Sequence, residues 1–167
     1  MLYERAVTFA ERSRQKILVA HMLGSMALWA AETGQGPEAV RVAGRVSDGQ
    51  GPWLATMRAT VAASVGDADT TLVSLQHAER HLAEPGIPLT PASLSGYVGR
   101  CYAMLGLSKT AAPALRQALA GDPPARHRAM LLAGLAGVVD DEAAVLRGRA
   151  RTIGRQLRSR RVLAEAR

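Results

Sequence analysis

Residues 92–125 read ASLSGYVGRCYAMLGLSKTAAPALRQALAGDPPA, and the rest of the chain is organised around this stretch. Small residues recur at Gly99, Ala111 and Ala118, where they leave room for two helices that nearly touch. Gly106 lies between them and allows the first helix to end in a left-handed turn without steric cost. The stretch therefore predicts two helices joined by a short turn and packed closely against each other.

This spacing resembles the tetratricopeptide repeat (TPR), a helix–turn–helix unit of roughly 34 residues. The positions that carry the resemblance are Gly99, Tyr102, Gly106, Ala111, Leu115, Ala118, Leu119 and Pro123. Gly34 and Gly66 fall at the position of Gly106 in two weaker upstream copies, and Ser95 stands where such repeats usually carry tryptophan. The resemblance implies an all-α fold, a TPR-like α-α superhelix (solenoid) of about four helix pairs. An N-terminal helix at residues 2–15 would precede the pairs without a partner of its own.

The composition agrees with closely packed helices and excludes several other classes. Of 167 residues, 48% are apolar but only 4% aromatic, so the core must be aliphatic. The single cysteine, Cys101, excludes an internal disulfide framework, and we expect it to be a small buried side chain. No apolar run reaches about 18 residues, so no membrane span is expected. No signal-peptide pattern opens the chain, which favours a cytoplasmic location.

The chain divides into a predicted TPR-like domain at residues 1–150 and an arginine-rich C-terminal helix or tail at 151–167. Within the first domain, residues 84–91 contain three prolines and cannot be helical. They form either a spacer between repeats or a loop that folds over a groove. Thr90 is expected to cap the next helix, with Pro91 at its first position. The unpaired N-terminal helix indicates either a piece of a longer protein or a cap.

A second resemblance concerns the class of protein. The stretches GPWLATMRATVAASVGDADTTLVSLQHAERHL (51–82) and GRCYAMLGLSKTAAPALRQALAGDPPARHRAMLLAGLA (99–136) are similar to the TPR-like sensory half of helix-turn-helix transcriptional regulators from high-GC bacteria. Basic residues near the C-terminus are also a feature of that group. The resemblance implies a regulatory module that binds a protein, peptide or small ligand. The DNA-reading helix-turn-helix of the group would lie N-terminal to this sequence.

In a TPR superhelix the first helix of each pair lines the concave face, so the spacing predicts which side chains reach a binding groove. They are His21, Trp53, Thr56, Thr60, Arg100 and Arg128. An aromatic platform beside guanidinium groups suits a peptide carboxylate or an acidic side chain. The alternative is that Trp53 packs in the core and that the arginines are merely solvated.

The net charge of +7 is carried by the C-terminal segment, because eight arginines and one acidic residue follow position 143. The alternative function is nucleic-acid binding through this segment, whose arginines would contact phosphates. The candidate residues are Arg147, Arg151, Arg155, Arg158, Arg160 and Arg161. Two other interpretations stay open: a solvated helix with a frayed end, or pairing with an acidic partner or a second copy.

No catalytic constellation is evident, which predicts a non-enzymatic protein without a cofactor. His77, His81 and Glu84 lie on one helical face at metal-ligand spacing, but a solvated face explains them better and no metal site is expected. The acidic residues at 140–142 are explained by a helix start. The expected partner is a protein or peptide. A homodimer is also expected, because an unpaired helix at 2–15 would expose apolar surface.

Overall fold

The computed structural model describes residues 2–12, 16–46, 51–84 and 89–166. Within those ranges the chain forms ten α-helices and no strand, which confirms the all-helical prediction. The helices are α1 Leu2–Arg12, α2 Lys16–Glu32, α3 Gly36–Ala43, α4 Pro52–Ser64, α5 Ala68–Arg80, α6 Pro91–Met104, α7 Ser108–Ala120, α8 Ala125–Ala136, α9 Ala143–Gln156 and α10 Arg160–Glu165. None of these helices combines the length and the hydropathy needed to cross a bilayer.

The chain separates into two compact units, Met1–Pro88 and Leu89–Arg167. In the first unit α1 packs against α2, α2 packs against α3 and α4, and α4 packs against both α3 and α5. Its buried side chains include Val7, Leu23, Ala27, Val42, Met57, Ala59 and Leu75. The first unit is therefore a helical assembly with an aliphatic core, as the composition predicts.

In the second unit α8 lies at the centre, because it packs against α6, α7, α9 and α10. It presents buried side chains in every direction along its length, including Ala129, Met130, Leu131, Leu132, Leu135 and Ala136. The remaining helices pair as α6 with α7 and α9 with α10. The predicted domain boundary at 150/151 falls inside α9, so the arginine-rich segment begins within a helix of this unit.

Three hairpins share one turn of three residues with glycine in the middle. The φ angles of Gly34, Gly66 and Gly106 are +76°, +78° and +75°, a region that side chains disfavour. In each turn the residue after the glycine donates its N–H to the carbonyl five residues earlier, at 2.8–3.0 Å. This Schellman arrangement satisfies carbonyls that the helix end leaves open. The predicted equivalence of Gly34 and Gly66 with Gly106 is confirmed.

The same hairpins bury small residues at matching distances from the turn. The buried positions seven residues before and five residues after the glycine are Ala27 and Ala39, Ala59 and Thr71, Gly99 and Ala111. A Cβ on Gly99 would lie 2.6 Å from Leu115 Cγ, so the two helices approach too closely for any side chain there. The predicted close contact between the helices at Gly99 is confirmed. Thr71 stands where the other two hairpins have alanine, and its hydroxyl donates to Asp67 O at 2.6 Å.

A fourth turn of the same kind joins α9 to α10, with arginine in place of glycine. Arg158 has φ +49°, and the N–H of the next residue, Ser159, donates to Gly154 O at 2.9 Å. The Ser159 hydroxyl in turn caps α10 by accepting from the N–H of Val162. A left-handed conformation costs a non-glycine residue roughly 1–2 kcal/mol. The backbone pattern of the turn is therefore kept at the expense of local strain.

The capping prediction at the start of the second unit is also confirmed. The Thr90 hydroxyl accepts from the N–H of Ser93 at 3.1 Å, and Pro91 occupies the first position of α6. Of the proline-rich segment before it, residues 85–88 lie outside the described ranges. The end of the predicted N-terminal helix, residues 13–15, also lies outside them. The choice between a spacer and a folded loop stays a prediction.

Candidate interaction surfaces

The four groove candidates of the first unit lie on α2 and α4, where they form part of the packed interior. Trp53 is 9% exposed, and its ring covers Gly24, where a Cβ would lie 2.8 Å from the indole. The His21 ring lies 4.8 Å from the Trp53 ring, centroid to centroid, tilted by 49°. Trp53 is therefore a core residue that closes the contact between α2 and α4, as the alternative interpretation held.

The two threonines of this set are fully buried, and both hydroxyls are used within their own helix. Thr56 donates to Trp53 O at 2.7 Å, and Thr60 donates to Thr56 O at 2.8 Å. These bonds satisfy the hydroxyls in an apolar environment. The two side chains consequently serve the packing of α4, and their burial does not support the prediction that they line an open groove.

His21 is partly buried, and one of its ring nitrogens differs from the other polar atoms of this cluster in its hydrogen bonding. Its Nδ1 atom is buried and has no hydrogen-bond partner within the described residues. Leaving such an atom unpaired costs free energy, typically 1–3 kcal/mol. The ring packs on Trp53, so His21 belongs to the same interior cluster and not to an aromatic platform on the surface.

Arg100 and Arg128, the groove candidates of the second unit, are partly exposed and lie on the neighbouring helices α6 and α8. A guanidinium nitrogen of Arg128 donates to the carboxylate of Asp122, just before α8. Arg100 acts electrostatically on His127 of α8. Burial lowers the pKa of the His127 imidazole, and the positive charge of Arg100 lowers it further. This face of the unit thus disfavours an additional positive charge.

The two arginines were predicted from the sequence, but His127, which packs near Arg100, was not. A Cβ on Gly96, one helical turn before Arg100, would lie 3.3 Å from His127 Nε2. The missing side chain at Gly96 therefore admits the imidazole against α6. A glycine four residues before a candidate arginine was the available signal. It could not identify His127, because the packing of α8 on α6 is not encoded in local spacing.

The arginine-rich segment forms helices and not a frayed tail within the described residues, which end at 166. Arg147 bonds to Ala136 O at 3.3 Å, and Arg161 pairs with Glu165 at 3.3 Å. The other candidates, Arg151, Arg155, Arg158 and Arg160, are exposed. Nucleic-acid binding by this set stays a prediction.

Along α9 a shallow depression of about 450 Å³ adjoins these arginines. It is lined by Val145, Gly148, Arg149, Thr152 and Ile153. Val145 is 66% exposed, which is unusual for a branched apolar side chain on a helix of this unit. The depression could not be located from the sequence, in which Val145 and Thr152, two turns apart on one helix face, were the visible pattern.

The other candidates have local explanations. The His77 and His81 rings lie 4.2 Å apart, and His81 Nδ1 is 2.5 Å from Glu84 Oε1. Within the described residues no group of three or more His, Cys, Asp or Glu side chains is arranged to hold a metal ion. Of the acidic residues before α9, Glu142 pairs with Arg116 at 3.1 Å.

The N-terminal end of the first unit exposes large apolar side chains. Phe9 of α1 is 71% exposed and Ile17 of α2 is 81% exposed. Exposed apolar surface at this end was expected from an unpaired first helix. The homodimer inferred from it stays a prediction.

Comparison with known proteins found no family model, no curated protein and no solved structure that matches this chain. The resemblance to TPR domains and to the sensory half of regulators therefore depends on the sequence pattern. In the structure, the features that agree with this pattern are the helices, turns and buried positions described above.

Proposed function

We propose that the chain is a non-enzymatic interaction module, a TPR-like helical repeat that binds a protein or peptide partner. The observation that carries the proposal is the recurrence of one hairpin design, with the same glycine turn and the same buried small positions around Gly34, Gly66 and Gly106. Repeats of this kind expose side chains of successive first helices along one surface. A regulatory role, as the sensory part of a transcriptional regulator in the cytoplasm, follows from the resemblance and belongs to the same proposal.

The surface that suits such a partner best is the face of α6 and α8 around Arg100 and Arg128. Two guanidinium groups from neighbouring first helices can hold one carboxylate each, or share one between them, if Arg128 exchanges its contact with the exposed Asp122 for the ligand. His127 is kept neutral there by burial and by Arg100, so it can accept or donate a single hydrogen bond to the ligand. An acidic peptide is therefore the partner class that this face favours.

The experiment is a selection of random peptides displayed on phage against the full chain, followed by affinity measurements on the enriched sequences. We expect enrichment of acidic peptides, with Arg100→Ala and Arg128→Ala each weakening binding at least tenfold, about 1.4 kcal/mol or more. Arg126→Ala, an exposed arginine on α8, is the control for a general loss of charge. Equal binding by the wild type and both variants would place the peptide elsewhere, and failure to enrich any sequence would contradict the proposed function.

A further inference from the structure

The outer side of α9 combines an apolar strip with unpaired positive charges. Leu146, Ala150 and Gly154 face the interior of the second unit and are buried. On the opposite side, Val145, Gly148 and Thr152 recur at three- and four-residue intervals and line the shallow depression. Residues at these intervals share one face of an α-helix. A continuous strip of about two turns is therefore left uncovered within this unit.

The centre of the strip is open to close approach. A Cβ placed on Gly148 would have no atom within 4 Å other than those of its own helix backbone and chain neighbours. A partner backbone can therefore come nearer at Gly148 than anywhere else along the strip. Val145 supplies an exposed apolar contact beside this point. A gap between protruding side chains is a groove into which a ridge of a second helix can pack.

Arginines border the strip on both sides. Arg151 and Arg155 lie one turn apart along one border, and Arg149 lies on the other, since successive residues rotate by about 100°. All three are exposed, and none has a hydrogen bond or ion pair within the described part of the chain. Arg158 follows on the same side, in the turn after α9. Its φ angle is positive, so glycine would avoid the strain that arginine bears at this position. The strip thus lies between cations that no acidic residue of the described structure neutralises.

We propose that this face of α9 docks an acidic amphipathic helix of a protein partner. An apolar ridge on the partner would fill the depression, and carboxylates on its flanks would pair with Arg149, Arg151 and Arg155. A second copy of the chain does not supply such a helix, because no helix within the described residues carries more than one net negative charge. Nucleic acid would satisfy the arginines but would leave the apolar side chain of Val145 without a complementary surface.

This surface is separate from Arg100 and Arg128, so its test does not depend on theirs. The probes are three fluorescently labelled molecules: a designed acidic helix with leucines on one face, a scrambled peptide of identical composition, and a random-sequence DNA duplex. Each is titrated with the full chain at physiological salt and followed by fluorescence anisotropy. We expect the acidic amphipathic peptide to bind at least tenfold more tightly than the scrambled peptide.

Matched variants separate the apolar strip from its charged borders. Val145→Glu should weaken peptide binding at least tenfold, whereas Val73→Glu, an equally exposed valine of α5, should leave it unchanged. A double change of Arg151 and Arg155 to Ala should weaken binding at least tenfold, and Arg126→Ala should not. Circular dichroism checks the fold of each variant. Gly148→Gln is a second test of the apolar strip. It blocks the depression without adding a charge and should therefore also weaken peptide binding.

Three outcomes would overturn the proposal. Equal affinity for the amphipathic and scrambled peptides would mean that the arginines attract acidic chains without regard to shape. Tighter binding of the DNA duplex, with Val145→Glu no more harmful than Val73→Glu, would assign the surface to nucleic acid. Absence of binding to all three probes would leave the arginines as solvated side chains.

Discussion

The hairpins α6–α7 and α9–α10 belong to the same unit and use the same turn, yet they pack differently. Around Gly106 the positions seven before and five after the turn are Gly99 and Ala111, both buried. Around Arg158 the corresponding residues are Arg151, which is exposed, and Leu163, which is partly buried. The turn is therefore preserved while the close contact of small residues is lost.

In the α9–α10 hairpin the closest contact lies nearer to the turn. A Cβ on Gly154 would lie 2.9 Å from Val162 Cγ1 and 3.1 Å from Leu163 Cδ2. These are the ends of side chains, whereas Gly99 opposes the Leu115 backbone as well, with its N atom at 3.0 Å. The comparison shows that backbone hydrogen bonds define the turn and that side-chain size separately defines how closely the helices approach.

The largest expected effect on stability comes from exchanging the residue five positions after the turn. This residue is Ala111 in α7 and Leu163 in α10. Ala111→Leu should lower the free energy of unfolding by about 2–3 kcal/mol, because Ala111 has no exposed surface and the helices cannot separate freely. Urea denaturation measures the change. Ala120→Leu, at an exposed position of α7, is the control and should have little effect. An unchanged stability of Ala111→Leu would refute the assigned close contact.

The two close-contact glycines should respond differently to one added methyl group. Gly99→Ala should destabilise by about 1–2 kcal/mol, even though alanine favours helix by about 1 kcal/mol. Gly154→Ala should destabilise less than Gly99→Ala, because the added methyl group meets only side-chain atoms of Val162 and Leu163 and no backbone atom. Gly148→Ala, with open space around it, should stabilise and so calibrates the helix preference. Equal losses at Gly99 and Gly154 would contradict the difference between the hairpins.

Exchanging the turn residues should shift stability in opposite directions. Gly106→Ala should cost about 1 kcal/mol, since alanine must then adopt a positive φ angle. Arg158→Gly should stabilise by up to about 1 kcal/mol by removing the same strain, less the entropy that glycine adds to the unfolded chain. Thermal melting of both variants tests this. If Arg158→Gly also destabilises, the arginine side chain contributes contacts that outweigh its conformational strain.

The smallest expected effect is the pH dependence of folding stability that arises from His127, which packs against α6. Because the pKa of His127 is lowered in the folded chain, the unfolded state binds the proton more readily. Stability from this residue is therefore fully present above about pH 6.5 and decreases as the pH falls through the lower folded pKa. Denaturation of the wild type and His127→Gln at pH 7.5 and 5.5 measures it. The free energy of unfolding of the variant should depend less on pH than that of the wild type. The same pH dependence in both proteins would exclude His127 as its source.

Much of the fold could be predicted from local spacing, because glycine turns and small buried positions leave a pattern along one segment. Gly34, Gly66 and Gly106 show this, and so does Thr90 at the start of α6. The surfaces were less predictable because they depend on contacts between distant segments. The sequence left Trp53 open between a groove and the core, and its packing on Gly24 became visible only in the folded chain. The proximity of Arg100 and His127, and the open strip on α9, required the packing of whole helices.

The burial of Trp53 also has a practical consequence for measurement. Both tryptophans of the chain, Trp29 and Trp53, lie in the unit Met1–Pro88, so indole fluorescence reports on that unit. The single thiol, Cys101, is buried in the other unit, where a thiol-specific reagent can reach it only when that unit opens. An emission shift and a labelling rate, recorded on one unmodified sample, therefore distinguish independent unfolding of the two units from a single cooperative transition.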